Sequence, residues 1–153
     1  MHATAPHSPT PSPLTDTGDV RESAAAYVVK ALVNEHAELR CYDPKVTRPS
    51  FLWELEYTLG VTPANTPLLD KLFHVDADPY EAAAGADAVA VLTEWDSFKS
   101  LDWARIFASM RKPAFVFDGR NVLNHEALRG LGFEVYAVGK PIRGDIAAGM
   151  TPR

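Results

Sequence analysis

Three short runs rich in valine and phenylalanine, Asp87–Leu92 (DAVAVL), Ala114–Phe117 (AFVF) and Phe133–Val138 (FEVYAV), alternate with helix-like segments, and this alternation restricts the fold more than any other feature. A nearly continuous apolar run such as DAVAVL is the signature of a strand covered on both faces. The links between the runs hold helical patterns, Leu101–Met110 and Asn124–Leu131, with Gly132 separating the last helix from the last strand. Strands joined through helices are parallel, because antiparallel neighbours need only a tight turn. Two weaker strands precede them, Leu39–Asp43 (LRCYD), stopped by Pro44, and Leu72–Val75. The expected fold is α/β: a Rossmann-like three-layer domain with a mostly parallel sheet and helices on both faces.

Local signals place the remaining helices. Asp19 and Glu22 have capping-box spacing, and Ala24, Ala25, Val28, Ala31 and Leu32 share one face of the helix expected over Val20–His36. Arg48–Gly60 reads as one aromatic-rich helix with Gly60 just past its end, and Thr62–Pro67 as a connector. Asp78–Pro79–Tyr80–Glu81 supplies an N-cap, a proline at the first helical position and a box-closing glutamate for a short helix to Ala84. Residues 1–14 carry Pro6, Pro9, Pro11 and Pro13 and read as a disordered arm, 15–141 as one domain, and 142–153 as a flexible tail.

The net charge of −5 leaves no basic face for phosphate backbones, which argues against nucleic acid as a partner. The longest apolar stretch, around Ala82–Leu92, is broken by Gly85 and Asp87 and is too short for a bilayer, so no membrane partner is expected. Residues 1–14 lack the pattern of a secretory or mitochondrial leader, which makes a cytoplasmic location the default. Cys41, the single cysteine, reads as a buried structural thiol, not a nucleophile. His2, His7, His36, His74 and His125 show no ligand spacing, and no metal site is assigned. With no glycine-rich nucleotide fingerprint and no Ser-His-Asp pattern, no catalytic residue is assigned either.

Ligands of parallel α/β sheets bind beyond the carboxyl ends of the strands. Three polar segments follow strands directly, Asp43–Pro44–Lys45, Thr93–Glu94–Trp95–Asp96 and Asp118–Gly119–Arg120–Asn121, and one parallel sheet would gather them at one edge. Arg120 stands out because a guanidinium offers a two-pronged fork for phosphate or carboxylate; the plainer alternative pairs it with Asp118 or a helix end. Arg21 lies in the first turn of its helix, where positive charge opposes the helix dipole, so it either meets an anion or pairs with Asp19 or Glu22. Trp95 either stacks on a ligand or packs beneath its loop.

Taken in series, Thr15–Ser23 (TDTGDVRES), Tyr42–Val46 (YDPKV), Asp78–Ala82 (DPYEA), Thr93–Asp96 (TEWD) and Phe117–Arg120 (FDGR) resemble the C-terminal, UDP-binding domain of UDP-glucose 6-dehydrogenases of the UDP-glucose/GDP-mannose dehydrogenase family. The resemblance runs from about Thr15 to Pro141. Enzymes of that family oxidise the C6 alcohol of a UDP-sugar to a carboxylate in two hydride transfers to NAD, with a separate NAD domain and a central domain that carries the nucleophilic cysteine. The resemblance implies that Arg21 reaches NAD as the cofactor-binding residue and that Arg120 contacts the UDP-sugar, UDP-glucose or UDP-glucuronate, as the substrate-binding residue. It assigns the TEWD segment a structural role.

The family places an apolar strand, ending in a phenylalanine and a lysine that line the sugar site, where this chain has MHATAPHSPTPSPL. The fold is therefore expected to lack its first, central strand. Four or five buried aliphatic side chains at about 1.5–3 kcal/mol each are comparable to the stability of a whole domain, about 5–15 kcal/mol. The resulting expectation is the UDP-sugar-binding portion of a dehydrogenase, not catalytic alone. The alternatives are a stand-alone nucleotide-sugar or regulatory module that associates with a full-length dehydrogenase subunit, or a non-functional fragment.

Overall fold

The computed structural model describes residues 24–62, 64 and 66–141. The helix start expected at Asp19–Glu22, the arm and the tail lie outside these residues. The described residues form two compact units divided between Ala84 and Gly85.

The first unit begins with α1, Ala24–Asn34, whose Ala26, Val29 and Val33 are buried. The 3–4 spacing of these residues makes one apolar stripe. Strand β1, Leu39–Tyr42, follows, then α2, Arg48–Leu59. Thr47 caps α2 by accepting from the Ser50 N–H, and Gly60, at φ 60°, closes it in the left-handed conformation. The four-residue α3, Leu69–Leu72, leads into β2, Phe73–Asp76. Strand β2 pairs with β1 in parallel, Leu39 opposite Phe73 and Tyr42 opposite Asp76. Asp78 starts α4, Pro79–Ala83, by accepting from the Tyr80 N–H at 2.7 Å. Phe51, Leu55, Leu69 and Phe73 join the α1 stripe in one buried cluster.

The second unit holds β3 (Ala88–Val91), α5 (Asp96–Lys99), α6 (Trp103–Ser109), β4 (Phe115–Asp118), α7 (His125–Leu131) and β5 (Glu134–Ala137). The strands form a parallel sheet in the order β3-β4-β5. Gly132, at φ 108°, ends α7 and lets the chain turn beneath Phe107, whose ring meets Phe133 edge-on at 4.9 Å.

Both units are parallel α/β layers flanked by helices, the Rossmann-like class expected. Two details differ. The five described strands form two separate ladders, of two and three strands, and not one sheet. In addition, β3 and β4 are covered on one face, not on both. Val91, Val116 and Asp118 are buried, whereas Ala88, Ala90 and Phe117 are exposed. Phe117 stacks on Tyr136 at 5.4 Å in the neighbouring strand, on the side of the sheet opposite Val116 and Asp118. Alternation is the period-2 geometry of any strand, and the apolar character of the sequence concealed it because the exposed residues are also apolar.

Candidate functional site

The carboxyl ends of β3 and β4 bring two of the three polar segments together. Val91 and Asp118 are paired in register, and the Gly119 N–H donates to the Val91 carbonyl at 3.0 Å. A Cβ on Gly119 would meet that carbonyl at 3.2 Å, so this glycine permits the two strand ends to close on each other. Beyond them the Arg120 guanidinium reaches Glu94 Oε1 at 3.2 Å, with side-chain exposures of 49% and 43%. The alternative partner considered for Arg120, the Asp118 carboxylate, receives its backbone N–H instead, at 3.1 Å. Asp43–Pro44–Lys45 follows β1 in the other ladder, so the three segments are not gathered on one sheet. There the Asp43 carboxylate accepts from the Lys45 and Val46 N–H groups and shapes its own turn.

The loop between β4 and α7 is built around Asp118, which is 1% exposed. Its Oδ2 accepts from the Leu123 N–H at 2.9 Å and from His125 Nε2 at 2.8 Å. Lys140 Nζ lies 3.1 Å from the other ring nitrogen, Nδ1. An ammonium can only donate, so Nδ1 accepts and Nε2 carries the hydrogen that goes to Asp118. Burial pushes the Asp118 carboxyl up, but hydrogen bonds from His125 and from the Leu123, Arg120 and Val122 N–H groups outweigh it and hold the group below the ordinary aspartate value. Asn121 adopts φ 58°, and its amide donates to the Val138 carbonyl at 3.0 Å, tying this loop to the end of β5. The backbone around Arg120 is thus fixed from below, while its guanidinium projects half-exposed at the sheet edge.

Other candidates fall as follows. Arg21 lies outside the described residues. Trp95 is half-buried and precedes α5. The Cys41 thiol is pushed up to about 12, first by burial and then by the carboxylates of Asp76 and Asp43, which matches a structural thiol. His125 has no ligand spacing to the other histidines in the sequence. The signal that could have found it is an aspartate ending a strand, followed seven residues later by a histidine opening a helix.

Parallel strands with helical crossovers define a Rossmann-like α/β class of domain, and Arg120 lies at the carboxyl edge of its three-stranded sheet. Comparison with known proteins narrows this. Residues 14–125 match the model of the UDP-glucose/GDP-mannose dehydrogenase family, UDP binding domain, and the chain belongs to that family. It is 46% identical over 134 residues to UDP-glucose 6-dehydrogenase 4 of Arabidopsis thaliana, covering 83% of this chain and 28% of that protein. It is 47% identical over 124 residues to UDP-glucose 6-dehydrogenase of Caenorhabditis elegans (81% and 25%) and 45% over 129 residues to that of Gallus gallus (83% and 26%). The chain thus spans about a quarter of the length of these relatives.

The family's NAD dependence can be tested against the described residues. A dinucleotide site needs glycines that let a pyrophosphate approach the backbone at a strand-to-helix turn. Gly119, the glycine at the end of β4, faces the Val91 carbonyl, and that space is occupied by protein. Gly119 therefore does not open a pyrophosphate cradle at the β4–α7 turn. No helix among the described residues is long and apolar enough to cross a membrane.

Proposed function

We propose that this chain is the UDP-sugar-binding portion of a UDP-glucose 6-dehydrogenase, with Arg120 as the residue that contacts UDP-glucose or UDP-glucuronate. The observation that carries the reading is the position of Arg120, a half-exposed guanidinium on a pinned loop at the carboxyl edge of a parallel sheet, in a chain of the UDP-binding-domain family. A guanidinium held this way can grip a diphosphate with two parallel N–H···O bonds, and Glu94 occupies the fork until the ligand replaces it. Arg21 is proposed to reach NAD held by a separate domain, and the complete enzyme to act in the cytoplasm. The chain alone is not expected to transfer hydride, since the family resemblance assigns the NAD domain and the nucleophilic cysteine to other domains. Titration calorimetry with UDP-glucose is the test. Binding by the 153-residue chain, weakened about tenfold or more by Arg120→Ala, supports the reading, and equal binding by chain and variant removes Arg120 from the site.

A second reading, a module that associates with a full-length dehydrogenase subunit, draws on the split ladders and on the exposed Phe117 beside Tyr136. Both leave backbone and apolar surface that further polypeptide could cover. Co-purification of the tagged chain with a full-length dehydrogenase, against a Phe117→Ser control that weakens capture, distinguishes it from the first reading.

A further inference from the structure

Arg120 is presented by a loop whose order comes from three side chains that the proposed contact does not use, two buried and one exposed. Asp118 ends the central strand, 1% exposed, and is paired in register with Val91 on one side and Ala137 on the other. Its two oxygens accept from the N–H of Arg120 and the N–H of Leu123, so the carboxylate spans the turn that carries the guanidinium. A carboxylate with two oxygens can still rotate. His125, 7% exposed, stops that rotation by donating from Nε2 to Oδ2 at 2.8 Å. The imidazole is held in turn by Lys140 beyond β5, whose ammonium donates to Nδ1 at 3.1 Å and so selects the tautomer that can donate to Asp118. A hydrogen bond to a charged partner is stronger than one between neutral groups, so the order imposed at Asp118 exceeds that of an ordinary turn.

We propose that His125, set by Lys140, is a positioning residue for Arg120: through Asp118 it locks the β4–α7 loop so that the guanidinium is pre-aimed at the nucleotide-sugar diphosphate. This rests on the reading of Arg120 as the ligand contact. Binding by a preordered loop avoids the entropy of ordering it, so loosening the loop weakens affinity with no contact to the ligand removed.

Two measurements on the 153-residue chain separate the inference from that reading. The first needs no ligand. Long-range nitrogen NMR of the wild type should show His125 with hydrogen on Nε2, and amide exchange at Arg120 and Leu123 should be slow. Lys140→Met, at an exposed position, should shift the tautomer signals, and His125→Leu should speed exchange at those two amides about tenfold while Val116 and Val135 stay protected. The second is affinity for UDP. His125→Leu should raise the dissociation constant about fivefold or more, and His125→Gln, whose amide can still donate to Asp118, should restore most of the loss. Hydrogen on Nδ1 in the wild type overturns the proposal. So does a uniform rise in exchange across β4 and β5, or unchanged affinity in His125→Leu beside measurable wild-type binding. If the wild type binds no UDP while the exchange pattern is as expected, the ligand reading fails and the loop lock stands.

Discussion

At Asp118 a buried carboxylate is kept charged by its hydrogen bonds, and this has a consequence for stability. A group whose folded pKa lies below its unfolded value of about 3.9 stabilises the fold above that pH, and the contribution is lost as pH falls through the folded value. Acid unfolding of the wild type below about pH 4 should therefore be steeper than that of Asp118→Asn. The same variant should cost about 1–3 kcal/mol at neutral pH, because an amide nitrogen would face N–H donors in a buried site. Cys41 makes the opposite case. With its thiol pushed up to about 12, iodoacetamide at pH 8 should leave the folded chain unlabelled and label it only after denaturation. Glu94 tests the fork directly: Glu94→Gln removes the carboxylate that competes for Arg120, and the account predicts tighter binding of UDP, read by calorimetry.

Among the elements, α2 and α4 were legible through local signals, whereas the buried face of α1 was not: Ala26, Val29 and Val33 are buried, while Ala24, Ala31 and Leu32 of the expected face are exposed. Helix α2 runs from Arg48 to Leu59 with Gly60 as its left-handed stop, and α4 starts at Asp78–Pro79 as the capping pattern implies. The strand at Leu72–Val75 is displaced by one residue, because Leu69–Leu72 forms the short helix α3, too brief for a periodic signal. Covering of β3 and β4 was misjudged, since Ala88, Ala90 and Phe117 are apolar whether or not anything packs on them. The Arg120–Glu94 contact was half legible: both residues follow strands, but the choice of Glu94 over Asp118 depends on which carboxylate the loop itself consumes. The Asp118–His125 pair had a spacing signal, but the Lys140 contact and the choice of ring nitrogen did not, because nothing in sequence spacing tells which ring nitrogen meets which neighbour. One element prediction follows from geometry alone. Gly132 has φ 108°, and a Cβ there would sit 2.7 Å from Phe107 Cζ. Gly132→Ala should destabilise the second unit by about 1–3 kcal/mol, measured by chemical denaturation.

For the whole molecule, the five described strands fall into parallel ladders of two and three, one in each compact unit. The β3-β4-β5 sheet exposes Ala88, Ala90 and Phe117, and the chain spans about a quarter of the length of its relatives. The central claim is that this chain binds a UDP-sugar through Arg120. Thermal unfolding of the chain with and without UDP-glucose, repeated for Arg120→Ala, tests it most directly. Ligand at a hundred times its dissociation constant adds about 2.7 kcal/mol, and each kcal/mol moves the midpoint of a domain this size by about 2–4 °C. The account predicts a cooperative transition raised by roughly 5–10 °C in the wild type and by much less in Arg120→Ala. A transition that UDP-glucose leaves unmoved, or moves equally in both proteins, would contradict it.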